Sequence, residues 1–325
     1  MSNHTLSALY TGLLSLQHNV DFSTLPHGFS QDDLRSHLQE HLSPYQWKKV
    51  QEAKPKTYNT PFITIDQPTY PANLKKYPSA PPVLFYRGNI DLLKHPSIAI
   101  VGSRHCSKDS LSFTARLSWA AYTTHSILGG LTFGIEEAAH HAILSRKENP
   151  VHLIAVLEQG FDCLEGHRLR WMTQLIERGG LVLSTYPPDV RVQKWHYKHR
   201  NHLIAMLAEY IVVVEASKSS GSISTALSGV ELGKEVYAVP HHPNRINGHG
   251  CLHLIEQGAH PLWDPKTIFD TEIPENKLLD SLSKPQSLQE IVEAQHANPS
   301  EMLEALLELK RLGYIRQRGS LWERI

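Results

Sequence analysis

Ser97-Ile98-Ala99-Ile100-Val101-Gly102-Ser103-Arg104 is the stretch on which the fold turns. Four apolar residues run without interruption from Ile98 and stop at a glycine followed by two polar residues. A short continuous apolar run closed by a turn signal reads as a strand buried on both faces, the kind found in parallel sheets covered by helices. Five further runs repeat the pattern: Ser126-Leu128, Val151-Leu157, Leu181-Ser184, Tyr210-Glu215 and Val236-Val239. Between them, Leu111-Tyr122, Ile135-Ser145 and Leu164-Glu177 carry helical periodicity. Strands alternating with helices give βαβ crossovers. The expected architecture is therefore an α/β, Rossmann-like, doubly wound and mostly parallel sheet over residues 93–263, ending after Pro261-Leu262-Trp263.

Outward from this centre the composition changes. Residues 1–60 read as an N-terminal helical domain, with helical patches at Leu6-Leu16 and Asp32-His41. Residues 61–92, rich in proline and aromatics, read as an extended connector leading into the sheet domain. Residues 264–276 read as a linker. In 277–325, three short helical patterns precede a hairpin running from Tyr314-Ile315-Arg316 to Leu321-Trp322, which predicts a winged-helix domain. Its third helix presents Glu301, Glu304 and Glu308 against Lys310 and Arg311. So acidic a helix repels phosphates, and this domain is expected to meet protein or pack on the core.

The 325 residues hold 32 Lys plus Arg against 32 Asp plus Glu, so any polyanion site must be a local patch rather than a global field. Cys106, Cys163 and Cys251 are widely spaced with no CxxC pair, which fits a reducing compartment and argues against structural zinc. No apolar run approaches the roughly 18–20 residues needed to cross a bilayer, and no basic segment followed by an apolar core opens the chain. A cytoplasmic protein with no membrane partner is expected. The 21 histidines invite a metal reading at His196-x2-His199-x2-His202 and at His249-x3-His253, but neither spacing supplies a complete ligand set. No metal and no cofactor are expected.

Chemistry concentrates in the turns that end the strands. Open α/β sheets bind ligands at strand carboxyl ends, where glycine lets the backbone approach an anion and helix N-termini point at it. Gly102, Ser103 and Arg104 follow the first strand; Gly130, Phe133 and Gly134 follow the second; Arg200 and Asn201 follow the fourth; Lys218, Ser220, Gly221, Ser222 and Thr225 follow the fifth. The guanidinium of Arg104 suits phosphate oxygens. Phe133, Trp195 and Tyr197 could stack on unpaired bases, with Trp195 the more exposed expectation. From Gly129 the dinucleotide fingerprint fails at Leu131, and no GxxxxGK[ST] run exists. His140 and Glu136, at i and i+4, could pair but come with no nucleophile; Glu136 and Glu137 read as ordinary first-turn acids.

Taken together, Val101-Gly102-Ser103-Arg104, Gly129 through Glu136, Arg200-Asn201-His202-Leu203-Ile204, Val213-Val214-Glu215-Ala216, Ser220 through Ala226 and Val236-Tyr237-Ala238-Val239-Pro240 resemble the DNA-processing protein A family (DprA, or Smf) in order and spacing. Tyr70-Pro71-Ala72-Asn73-Leu74 and Pro82 through Asn89 resemble its lead-in, and Gly248 through Ala259 its closing segment. The resemblance implies a non-enzymatic single-stranded-DNA-binding protein that protects incoming DNA in natural transformation and loads a RecA-type recombinase. It also implies a homodimer formed through the Rossmann-like domain. Arg104 and Arg200 would be the phosphate contacts, with Gly102, Ser103, Gly221 and Ser222 as backbone or hydroxyl donors.

The chain departs from the family pattern at Glu136, Leu164-Glu165, Trp195-His196, His202 and His241. His202 stands where the family carries the second arginine of Arg-Asn-Arg, so a binding affinity that changes between pH 6 and 8 is expected. Two rivals remain at this level. One is a phosphoribohydrolase-like nucleotide-processing enzyme, weakened because Ser228 stands where its PGGxGTxxE signature needs glutamate. The other is a nucleotide-sensing or protein-interaction module.

Overall fold

The computed structural model describes residues 4–16, 30–145, 150–269, 278, 281–282, 284–311 and 315–324. The chain opens with β1 (His4–Leu6) and α1 (Ala8–Leu16), continues through α2 (Gln31–His41) and α3 (Pro44–Glu52), and returns in β2 (Lys56–Tyr58), antiparallel to β1. Ser30 and Ser43 start α2 and α3 with reciprocal capping boxes to Asp33 and Gln46, and Pro44 occupies the first turn, where a missing N–H costs nothing. Where α1 meets α3, a Cβ on Gly12 would stand 2.6 Å from the Val50 Cα, so only glycine permits that approach.

Residues 61–92 do more than connect. They carry β3 (Phe62–Thr64), the short α4 (Ala72–Lys75) and β4 (Val83–Gly88), and both strands join the main sheet. A proline stands immediately before each run, Pro61 and Pro82, and masks it as a strand, yet Val83, Leu84 and Phe85 are fully buried.

The sheet then builds through β5 (Ser97–Val101), α5 (Lys108–Tyr122), β6 (Ser126–Gly129), α6 (Ile135–Leu144), β7 (Leu153–Leu157), α7 (Gly166–Glu177), β8 (Leu181–Ser184), α8 (His196–Leu207), β9 (Tyr210–Val213), α9 (Gly221–Glu231), β10 (Glu235–Ala238), α10 (His249–Glu256) and β11 (His260–Pro261). The nine strands lie in the order β11-β10-β9-β5-β6-β7-β8-β4-β3. All pairs from β11 to β8 are parallel, and β4 and β3 close the far edge antiparallel. Every residue of β5, β6, β7 and β8 is buried, as the uninterrupted runs predict. Each buried Ile or Leu contributes on the order of 1.5–3 kcal/mol through apolar surface removed from water.

Toward the C-terminus follow β12 (Gln286–Ser287), α11 (Leu288–Gln295), α12 (Pro299–Arg311), β13 (Ile315–Arg318) and β14 (Leu321–Arg324). The three strands form an antiparallel sheet in the order β12-β14-β13. Leu282, Ile291, Met302, Leu306, Leu309, Ile315 and Trp322 make a core of their own. Glu301 and Glu304 are exposed on α12; the side chains of Glu308 and Arg311, and residues 279 and 280 of the first expected helix of this region, lie outside the described residues.

Candidate functional site

Strand β5 is the topological switch point. The chain moves from it to β6, β7 and β8 on one side and comes back to β9 on the other, so the crevice of an open α/β sheet falls at the carboxyl ends of β5 and β9. Gly102 stands at that point: a Cβ there would meet Ile135 Cγ1 at 2.5 Å and the Glu215 carbonyl at 3.0 Å. The Ser103 N–H donates to that same carbonyl at 2.6 Å, which ties the β5–α5 turn to the end of β9. The Ser103 hydroxyl closes on its own turn, donating to the His105 carbonyl at 2.9 Å. Arg104, next along, is exposed, with its guanidinium 5.8 Å from the centre of the Tyr197 ring. Gly134 has a φ of +83°, and a Cβ there would sit 2.3 Å from the Ser103 carbonyl, so the β6–α6 loop lies against the Arg104 turn. Phe133 in that loop is 49% exposed.

Behind this rim lies a buried ion pair. Arg200 and Glu136 are 5% and 6% exposed, and Arg200 Nη1 is 3.3 Å from Glu136 Oε2. The same carboxylate oxygen accepts the Gly130 N–H at 2.9 Å and the Thr132 hydroxyl. Gly130 has no room for a side chain, since a Cβ would fall 1.8 Å from Arg200 Nη1. Glu136 is thus the anchor of the 130–136 turn rather than an ordinary first-turn acid, and it faces Arg200 instead of His140. His140 is fully buried, and burial pushes its pKa down to about 3.

Asn201 Nδ2 donates to the Gly221 carbonyl at 3.1 Å and so links α8 to the start of α9. Ser220 caps α9 by accepting from the Ser222 N–H at 3.3 Å, and Thr225 donates back to Gly221 at 3.5 Å. Ser222 and Thr225 are buried, whereas Lys218 is exposed.

A cleft of about 1180 Å³ opens beside Arg104. Arg104, Ser107, Gly134 and Glu215 line it, with Glu137, which reads from sequence as a first-turn acid, and with His141, His167, Asn244, Arg245 and Asn247, which no motif in the sequence marks as a site. Arg200, Asn201 and the 220–225 turn lie outside that lining. Arg245 reaches in from the loop after β10, with Nη1 3.0 Å from Ser107 Oγ and Nη2 3.4 Å from Asp109. The only sequence signal for it was the polar run Asn244-Arg245-Ile246-Asn247 after Pro243, which periodicity cannot rank. Glu215 forms the floor. Burial pushes its pKa up, but the Ser110 hydroxyl and the Ser107 N–H and hydroxyl outweigh that and hold it below the usual carboxylate range.

Trp195 is half-buried rather than exposed, and its Nε1 donates to Gln193 Oε1 at 2.7 Å. With Tyr186, His196, His199 and His202 it lines a second cleft of about 670 Å³ that does not contain Arg104. His202 Nε2 lies 2.7 Å from Ser79 Oγ. Burial keeps its pKa below the ordinary histidine value, with Lys198 acting the same way and Glu231 opposing. The expected pH sensitivity between 6 and 8 assumed an ordinary histidine, whereas burial works against protonation of His202. The other histidines weighed as ligands are separately engaged, His196 Nδ1 with the Glu158 carbonyl at 2.9 Å and His249 Nε2 with the Pro243 carbonyl at 2.6 Å.

The family model of DNA recombination-mediator protein A matches residues 61–272. The chain is 37% identical to DNA processing protein DprA of Streptococcus pneumoniae over 199 residues, 61% of this chain and 70% of that protein. It is 33% identical to Protein Smf of Synechocystis over 246 residues, 74% of this chain but 58% of that longer protein. The crystal structure of the S. pneumoniae DprA superposes with a TM-score of 0.64 at 30% identity, covering 75% of this chain and 88% of that one. A Helicobacter pylori DNA processing protein A, whose structure gives insights into its single-stranded DNA binding mode, shares the fold at 24% identity and a TM-score of 0.56, covering 69% of this chain and 98% of that one. On the family match across residues 61–272 and these identities, the chain belongs to the DNA recombination-mediator protein A family.

Proposed function

We propose that this protein is a non-enzymatic single-stranded-DNA-binding recombination mediator, and that DNA lies in the cleft beside Arg104. The observation that carries this is the exposed Arg104 guanidinium at the switch point, with Arg245 also lining the cleft and exposed Phe133 on the adjoining loop. Two cations can meet successive phosphates while an aromatic face receives an unpaired base. Gly102, Ser103, Gly130, Gly134, Ser220, Gly221, Ser222 and Thr225 shape the turns, Lys218 adds an exposed charge, and Arg200 with Asn201 holds the loops from behind. Binding rather than catalysis is supported by the carboxylates: Glu136 and Glu215 are both occupied by internal donors. On this reading the protein works in the cytoplasm, protects DNA taken up in natural transformation and passes it to a RecA-type recombinase. Leu227 and Val230, 43% and 59% exposed on α9, offer apolar surface that a homodimer would cover. No helix among the described residues is long and apolar enough to cross a membrane.

The test is binding of a fluorescent single-stranded oligonucleotide and of the matching duplex, by the wild type and by Arg104→Ala, across a salt series. With three to five phosphate contacts, log K should fall against log salt with a slope of roughly −2 to −3.5, and losing one contact should reduce it by about 0.7. An Arg104→Ala variant with unchanged affinity and slope would remove DNA from this cleft.

A further inference from the structure

On the wall of the cleft, three donors from two helices converge. Glu137 and His141 lie one turn apart on α6, and His167 stands in the first turn of α7. Both imidazoles direct Nε2 at the same carboxylate oxygen: Glu137 Oε1 is 2.7 Å from His167 Nε2 and 3.9 Å from His141 Nε2, and all three atoms lie within 4.8 Å of one another. Aromatic stacking fixes the rings. His167 stacks on Phe133, with centroids 5.6 Å apart and planes at 18°, and His141 stacks on Trp171 at 5.6 Å and 22°. Exposures of 26%, 25% and 42% for the Glu137, His141 and His167 side chains leave the group open on one side, toward the space shared with Arg104.

We propose that Glu137, His141 and His167 bind a divalent transition-metal ion of the zinc class, with an open coordination position facing the cleft. Around a tetrahedral ion with bonds of about 2.0–2.2 Å, donor atoms stand about 3.4 Å apart. The observed 2.7 and 3.9 Å separations bracket that value. Two imidazoles and one carboxylate suit zinc, cobalt, nickel or iron(II), whereas calcium and magnesium prefer oxygen-only shells. A helix pair fixes the donors more firmly than a loop would, and three protein ligands leave a position for water. The ion adds positive charge beside the carboxylate. In the further reading, which rests on the proposed DNA site, that open position accepts a phosphate oxygen beside Arg104.

The experiment is titration of the metal-free full-length protein with Co²⁺, read by visible d–d absorption, with Zn²⁺ competition by calorimetry. Wild type, His167→Ala, Glu137→Gln and, as a control outside the cluster, His253→Ala are compared, with circular dichroism and melting temperature confirming the fold of each. One equivalent of Co²⁺ should bind wild type and His253→Ala with ligand-field bands that Zn²⁺ displaces, and His167→Ala and Glu137→Gln should bind at least about tenfold more weakly. No bands at one equivalent, or bands that survive in a folded His167→Ala, overturn the site. Oligonucleotide affinity with and without Zn²⁺ is a separate arm. DNA binding that is lost in Arg104→Ala but indifferent to Zn²⁺ keeps the metal site and removes the phosphate link. Zn²⁺ binding without any DNA binding removes the DNA reading alone.

Discussion

Glu136→Ala is expected to destabilise the protein by about 4 kcal/mol, most of it through what the mutation leaves behind. At the observed 3.3 Å, opposite unit charges attract by about 5 kcal/mol at an effective dielectric of about 20, but burying both ions offsets much of that. Removing one partner does not return the other to water. Arg200, at 5% exposure, would keep its charge with only the more distant influence of Glu158 against it, and losing the partner of a buried pair typically costs about 3–5 kcal/mol. The Gly130 N–H would lose its acceptor as well, at about 1–3 kcal/mol where water cannot replace it. Urea unfolding followed by circular dichroism on wild type, Glu136→Ala, Arg200→Met and the double variant measures this directly. The double variant should be less destabilised than the sum of the singles by about 2 kcal/mol or more, because it no longer strands a charge. Because the carboxylate also holds the turn that carries Phe133, oligonucleotide affinity should fall in Glu136→Ala. A single-variant cost below about 1 kcal/mol, or strict additivity in the double, would refute the reasoning.

Gly134→Ala places a Cβ 2.3 Å from the Ser103 carbonyl at a φ of +83°, so the Arg104 turn must shift; strain of about 1–3 kcal/mol and weaker oligonucleotide binding are expected, and wild-type affinity with an unchanged melting temperature would contradict it. Stability should fall as pH drops from about 6.5 toward 3. His140, pushed to about 3, and His196, His199 and His202, lowered in the same direction by burial, bind protons less readily folded than unfolded, so stability rises with pH across that window. Glu158, held below the usual carboxylate range although burial opposes the Arg168 pair, and Glu215 add losses as pH falls through their depressed folded values. Equal melting temperatures at pH 5 and 7.5 would contradict this account. Oligonucleotide affinity should change little between pH 7 and 8 in wild type, since burial disfavours the protonated form of His202; a decline that disappears in His202→Gln would show otherwise.

Sequence alone determined the parts of this protein whose physics is local. Uninterrupted apolar runs such as Ile98 to Val101 can be satisfied only by burial on both faces, so the parallel sheet and its order of helices were legible, as was the placing of Gly102, Arg104 and Gly134 at strand ends. Tertiary structure decided what depends on which loops meet. The edge strands β3 and β11 are three and two residues long, so their pairing rests on the neighbouring strand rather than on any pattern of their own. Arg200 and Arg104 look alike as arginines near strand ends, yet folding buries one against Glu136 and leaves the other open to the cleft. On α6, Glu136 and His140 share the i, i+4 spacing of Glu137 and His141, but a rotation of one residue separates core from cleft. His167 joins the second pair only because α7 packs beside α6, a meeting across 26 residues of chain that no spacing rule records.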